Sequence, residues 1–311
     1  MYCYLKNSYS LPVLISLLIF FSGHKPKAQE HVITFNAGSM TVTLLSEAPQ
    51  EQGKTGILIG ATEEMLKQTA PEGVYPTAVN AFLVETETHT ILFDAGYGRK
   101  LFDNLKAYRK TVADIDVVVL THMHGDHIGG LLRGGAEKSF PAASLYIPKP
   151  EYDYWMSDEA MLKLPENRRG GFAAARKVVD AYKDKLHLFV PGETDGAEEL
   201  IPGIRSIAAY GHTPGHTGYL LESEGSKLFI WGDLAHAMAV QMPYPAVAVT
   251  YDVDPVKAVE YRRRLLEYVS DNKIRIAGMH VPFPGIGDVK KNQSGGYVFT
   301  PVCDCEGRLP E

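Results

Sequence analysis

Cysteine, tryptophan and surplus basic charge are what this 311-residue chain has least of. Three cysteines cannot build a disulfide framework, and Cys303 and Cys305 are spaced CxC, one residue short of the CxxC half of a zinc site. They read as loop thiols, with a strained link between them left open in an oxidising compartment. Lys and Arg total 31 against 37 Asp and Glu, a formal net charge of -6. No basic field exists to hold a phosphate backbone, so nucleic acid is excluded as an expected partner and a nuclease is disfavoured. Long apolar runs are missing too. The stretch at residues 11–22, LPVLISLLIFFS, is shorter than the ~20 residues a bilayer span needs, and no cysteine follows it to accept a lipid, so no stable membrane anchor is expected. It follows a polar stretch bearing Lys6 and leads into GHKPKAQE, the layout of a secretory signal. The expectation is a signal peptide over residues 1–29, a mature start near Glu30 and export to the periplasm or the exterior.

The composition, 45% hydrophobic and 22% charged, is that of a globular protein with a sizeable core. No linker cuts residues 30–311, which read as one domain. HVITF and MTVTLL flank Asn36-Ala37-Gly38 as a hairpin, and VNAFLVET and TILFDAG follow as strands. KLFDNLKAYRK is helical in pattern, IDVVVLTH is a β-branched run ending in histidine, and SLYIP is a short strand. Residues 149–184 are helix-prone and aromatic, and read as a helical insertion. KLHLFV, GIRSIAAYG, TGYLLES and KLFIWGD read as strands. Asp254 and Pro255 cap a helix whose apolar face is Ala258, Tyr261, Leu265, Leu266 and Val269. KIRIAGMH and GYVFTPV read as the last strands. Two strand-rich halves, each with helices, predict an α/β fold: a four-layer αββα sandwich of two mixed β-sheets with outer helices.

The chemistry concentrates in Thr121-His122-Met123-His124-Gly125-Asp126-His127, directly after IDVVVL. Alternate residues at a strand end share a face, so His122 and His124 can point together. The turn at Gly125 swings Asp126 and His127 toward a second position. Imidazoles with a carboxylate suit a divalent borderline ion such as zinc. His212 in GHTPGHT, Asp233 closing KLFIWGD and His280 closing KIRIAGMH stand at further strand ends. Five histidines and two aspartates would serve two ions sharing one carboxylate.

The segments THMHGDH, GHTPGHT, WGD and GMHVPFPGIG resemble the metallo-β-lactamase superfamily, most of all its methyl parathion hydrolase and lactonase-like branch, from about Val79 onward. The resemblance implies that His122, His124 and His212 hold one metal, that Asp126, His127 and His280 hold the other, and that Asp233 bridges them. It implies two divalent ions per chain, zinc foremost, with Mn2+, Fe2+ or Co2+ as alternatives. Asp94 in ILFDAG matches a carboxylate that orients a liganding imidazole, a role with its own physical logic. His216, the second histidine of GHTPGHT, is expected to hydrogen-bond beside the site rather than ligate. The implied reaction is hydrolysis by a hydroxide bridging the ions, with Asp126 or Asp233 relaying the proton.

Lactonase relatives often carry a tyrosine shortly after the bridging aspartate, where this chain has Leu234, Ala235 and His236. The tyrosine's role is therefore in doubt, and His236 is a packed histidine or a substitute donor. The hydrolase pattern implies an aromatic substrate pocket from Trp155 and Phe172, joined by Leu101 or Phe102, which would favour uncharged lactones, esters or phosphotriesters as the small-molecule substrate. A β-lactamase is disfavoured because those branches generally lack the aspartate that Asp233 matches. A glyoxalase II-like thioester hydrolase is disfavoured by the short chain after His280, and a non-catalytic metal-stabilised protein by the full ligand set. The resemblance also suggests a homodimer.

Overall fold

A computed structural model describes residues 32–194 and 196–302. The expected signal segment and Cys303 and Cys305 lie outside the described residues. Seven strands form the first sheet: β1 (Val32–Ala37), β2 (Met40–Lys54), β3 (Val74–Glu85), β4 (Thr90–Phe93), β5 (Val117–Val119), β6 (Ser144–Pro148) and β7 (Leu186–Phe189), hydrogen-bonded in chain order. Seven more form the second: β8 (Glu199–Ile201), β9 (Ile204–Ala208), β10 (Thr217–Ser223), β11 (Ser226–Ile230), β12 (Arg275–Ala277), β13 (Ile286–Lys291) and β14 (Tyr297–Pro301), again in chain order. Pairing is antiparallel at the outset of the first sheet, then parallel from β4 to β7. In the second sheet only β11 and β12 run parallel. Both sheets are mixed, as the pattern predicts.

The period of two in the sequence divides the core into layers. Phe82, Val84, Ile91, Phe93, Val117 and Val119 point between the sheets, where they meet Tyr219, Leu221, Leu228, Ile230 and Ala277. Their neighbours Leu83, Leu92 and Val118 point outward onto helices that carry Leu105, Phe172 and Val178. On the far side, Ile207, Leu220, Phe229 and Ile276 meet Leu265, Leu266 and Val269 of the helix Pro255–Asp271. Helix, sheet, sheet, helix is the four-layer αββα sandwich. That helix starts as its sequence predicts: the Asp254 carboxylate accepts from the backbone N–H of Lys257 at 3.0 Å, Pro255 opens the first turn, and the expected apolar face is buried.

The aromatic segment read as an insertion is the crossover from β6 to its parallel neighbour β7, built of the helices Lys149–Met156, Asp158–Leu162 and Gly170–Tyr182. Parallel neighbours require such a connection, and its apolar face covers the outer side of the first sheet. β13 falls between KIRIAGMH and GYVFTPV, where no strand is anticipated. β2 also runs further than its apolar pattern suggests, through the polar residues to Lys54, and its end becomes a wall of the cleft described below. Among the described residues no helix is long and apolar enough to cross a membrane.

Candidate metal centre

The parallel strands of both sheets end on the same edge. Asp94 follows β4, the loop from Thr121 to His127 follows β5, Asp233 follows β11 and His280 follows β12, while His212 and His216 lie in the turn between β9 and β10. Two sheets packed face to face thus deliver their loops to one point.

There, His122 Nε2 lies 3.0 Å from His124 Nδ1, which lies 2.9 Å from His212 Nε2. Asp233 Oδ2 sits 3.6 Å from the His122 nitrogen and 3.3 Å from the His212 nitrogen. These four side chains form one cradle. A second contains Asp126, His127 and His280. His280 Nε2 is 3.4 Å from Asp126 Oδ2, and His127 Nε2 is 3.8 Å from the same oxygen. Asp233 reaches this cradle as well, with Oδ1 at 3.3 Å from His127 Nε2 and Oδ2 at 3.1 Å from His280 Nε2. All seven side chains named from the sequence converge, in the grouping that the resemblance implies, with Asp233 between the groups.

Whether this set suits cations is decided by the far side of each ring. His280 Nδ1 donates to the Ala78 carbonyl at 2.8 Å, so in the neutral ring the inward Nε2 carries the lone pair. His212 Nδ1 is 2.9 Å from Asp252 Oδ1, His127 Nδ1 is 2.7 Å from Asp94 Oδ2, and His122 Nδ1 is 3.0 Å from the Thr121 hydroxyl. His127 Nε2 and Asp233 Oδ1 are buried and face each other at 3.3 Å, yet neither makes a hydrogen bond. A buried polar atom left so is costly. Inward lone pairs, two orphaned atoms and a His/Asp donor set fit a pair of divalent ions.

The electrostatics follow from the same packing. Burial holds His122 and His124 well below the ordinary imidazole range. Burial also works against His212 and His127. For His212 the hydrogen bonds to Asp233 and Asp252 outweigh it and raise the group to about 9. For His127 the carboxylates of Asp233, Asp126 and Asp94 do the same and lift it well above its usual value. Burial likewise opposes ionisation of Asp233, but His127 and His280 hold it well below the usual carboxylate range.

Asp94 and His216 flank the cradles. Asp94, at φ +57, is fully buried and accepts from the Thr121 N–H at 2.8 Å and the Thr121 hydroxyl at 2.7 Å, besides facing His127. His216 donates through Nδ1 to the Ala209 carbonyl at 2.7 Å and accepts at Nε2 from the backbone N–H of Asp233 at 2.9 Å. Both its nitrogens are engaged, and burial lowers it to about 3. Gly232, at φ +60, permits this approach: a Cβ there would lie 2.4 Å from His216 Nε2.

His236 sits inside the centre. Its Nε2 is 3.1 Å from Asp233 Oδ2, its ring stacks on His280 at 4.7 Å, and burial lowers it to about 4. With Asp233 and His280 it forms a third ligand-like group.

The cradles floor a cleft of about 650 Å³, whose walls include Lys54, Tyr75, Thr77, Tyr97, Arg168, Tyr251 and His236. The aromatic pocket expected from the sequence is not among them. Trp155 is 5% exposed, and Phe172 and Leu101 are not exposed at all; all three are core beneath the crossover helices, and Phe102 packs against the same core over Phe140. The outer face of the first sheet needs that apolar cover, and it takes these side chains away from the cleft. Trp155 still bears on the centre from behind, its ring set edge-on to His124 with the ring centres 5.7 Å apart. The cleft's tyrosines are Tyr75 at the start of β3 and Tyr97 and Tyr251 from loops, the last two with no apolar periodicity to mark them. Asp252 and Glu151, both in contact with the metal-binding loops, are absent from the sequence reading.

Comparison with known proteins gives a consistent picture. The sequence profile of the Metallo-beta-lactamase superfamily matches residues 74–280. The chain is similar to the crystal structure of the hydrolase AbOPH of the beta lactamase superfamily, with 29% identity, a TM-score of 0.79 and coverage of 88% of this chain and 98% of that one. It is similar to AidC, described as a dizinc quorum-quenching lactonase, with 26% identity, a TM-score of 0.77 and coverage of 87% and 97%. It is also 28% identical over 195 residues to the uncharacterized protein YobT of Bacillus subtilis (strain 168), spanning 58% of this chain and 76% of that protein.

Proposed function

Because the chain belongs to the metallo-β-lactamase superfamily, we propose that it is a dinuclear-metal hydrolase of lactones, esters or phosphotriesters. The observation that carries this reading is the convergence of seven donors into two cradles joined by Asp233, with His127 Nε2 and Asp233 Oδ1 unpartnered at their meeting point. Two divalent ions held there, zinc foremost and Mn2+, Fe2+ or Co2+ as alternatives, supply a Lewis acid for the scissile carbonyl or phosphoryl oxygen and water activated near neutral pH.

The chain's own groups do the rest. His122, His124 and His212 hold one ion, Asp126, His127 and His280 the other, and Asp233 both. Asp126 lines the open side of the centre and is the partly exposed carboxylate of the set. His127 and His280 hold it ionised against the effect of burial, so at neutral pH it can accept a proton as the bond breaks, at the carboxylate oxygen that does not hold the ion. His236, neutral and lining the cleft, takes the place where lactonase relatives often carry tyrosine; its one N–H, at Nε2, is directed at Asp233 Oδ2, and with Asp233 engaged by the ions it is the proton His236 can donate to the substrate oxygen or the leaving group. Tyr97 and Tyr251 flank the mouth, half exposed, and Arg168 and Lys54 add positive charge to its walls. This lining mixes rings with polar groups, so the substrate combines an apolar part with hydrogen-bonding atoms. Lactones head the list, since AidC, covering 87% of this chain, is a lactonase. The apolar run at residues 11–22 supports action after export.

A panel of an acyl-homoserine lactone, a paraoxon-like triester, nitrocefin and a glutathione thioester, with metal analysis of the purified protein, tests the proposal. The expected outcome is two ions per chain and turnover of the lactone above the thioester and nitrocefin. Fewer than one ion per chain, or turnover of nitrocefin alone, would remove it.

A further inference from the structure

Glu151, in the first turn of the helix Lys149–Met156, has no exposed surface and forms no ion pair among the described residues. Its oxygens instead take four hydrogen bonds. Oε1 accepts from the backbone N–H of Met123 at 2.9 Å and from the Trp155 indole N–H at 2.5 Å. Oε2 accepts from the Thr213 hydroxyl at 2.6 Å and from the backbone N–H of Gly215 at 3.0 Å. Met123 lies between His122 and His124, and Thr213 follows His212. One carboxylate therefore joins the two loops, from different sheets, that supply every imidazole of the first cradle. The contact is close: a Cβ on Gly215 would lie 2.0 Å from the Glu151 backbone nitrogen. No such bond reaches Asp126, His127 or His280.

We propose that Glu151 is a positioning residue that holds the three histidines of the first cradle at ligating spacing and so sets the affinity of that site without setting the other's. The inference rests on the two-metal reading. A carboxylate is required because all four partners are donors; an amide has one acceptor oxygen and turns its own N–H groups toward two of them.

The test measures Zn2+ affinity by competition with a chromophoric chelator in two backgrounds, His280→Ala, which leaves the first cradle intact, and His124→Ala, which leaves the second. Glu151→Gln weakens Zn2+ by about tenfold or more in the first background, the scale typical of losing a group that orients a ligand, and by less than about twofold in the second. Thr213→Val, which removes one of the four donors, gives a smaller loss in the first background alone and carries the test if Glu151→Gln does not fold. Tyr182→Phe, which removes buried bonds to Leu131 and Phe140 away from the first cradle, changes neither affinity. Equal losses in both backgrounds, or none from Glu151→Gln and Thr213→Val, would overturn the inference alone. No Zn2+ binding by the unsubstituted protein would overturn the two-metal reading together with it.

Discussion

At the scale of single residues, the centre is a problem of aiming. An imidazole has two nitrogens, and the one facing outward decides what the inward one can do. Ala78, Asp94, Thr121 and Asp252 each hold an outward nitrogen, leaving the inward ones to face the cradles. Asp233→Ala removes the carboxylate that, among the described residues, touches both cradles, and is expected to lower kcat/KM by at least ~10³-fold, the scale of losing a principal catalytic element; steady-state kinetics check this. His236→Phe should keep the metal content and lower kcat/KM by roughly 100-fold, the low end for a proton donor. Loss of an ion in that variant would make His236 a ligand instead. The seven donors were readable because histidine and aspartate crowded at strand ends carry their chemistry in their identity. Glu151 and Asp252 were not. A glutamate in a helix's first turn reads as an ordinary partner of the helix dipole, and an aspartate in TYDVDP as a loop acid; only the fold brings them under the histidines.

At the scale of elements, period-two strands such as TILF and the capped helix at Pro255 declared themselves, because burial on a fixed face leaves a repeating pattern. The crossover helices declared their apolar face but not its direction. The same aromatic run could line a cleft or cover a sheet, and the sheet took it. Phe172→Ala should therefore cost about 3–5 kcal/mol of stability, as for other buried phenylalanines, with little change in KM. Tyr251→Ala should do the reverse, raising KM several-fold while stability stays within about 0.5 kcal/mol, as for a surface change. Chemical denaturation and steady-state kinetics on the two variants separate core from wall. The polar end of β2 and the tyrosine loops were hidden because a cleft wall facing water has no hydrophobic period to display.

At the scale of the whole molecule, ion binding, protonation and folding are linked. With the ions removed, His212 titrates at about 9 instead of 6.5, through its bonds to Asp233 and Asp252 acting against burial. A pKa raised in the folded state stabilises fully below pH 6.5, and that contribution is lost as pH rises through 9. The ion-free protein should therefore melt lower as pH climbs across this window, while its affinity for Zn2+ increases because fewer protons compete for the nitrogen. Thermal melts and calorimetry in buffers of differing ionisation enthalpy check both trends, the second by the protons released on binding. Chelation at neutral pH should lower the melting temperature by roughly 15–20 °C, from about 4 kcal/mol of linkage for each of the two ions at a thousandfold excess over Kd. The donors are divided between the sheets: the first supplies His122, His124, Asp126 and His127, the second His212, Asp233 and His280. The ions thus act as a rivet through one end of a closed book. Pulling it should let the pages part at that margin while the spine stays shut, so amide exchange should quicken around Asp94, Thr121 and Gly232 long before it quickens at the Gly38 turn on the opposite edge.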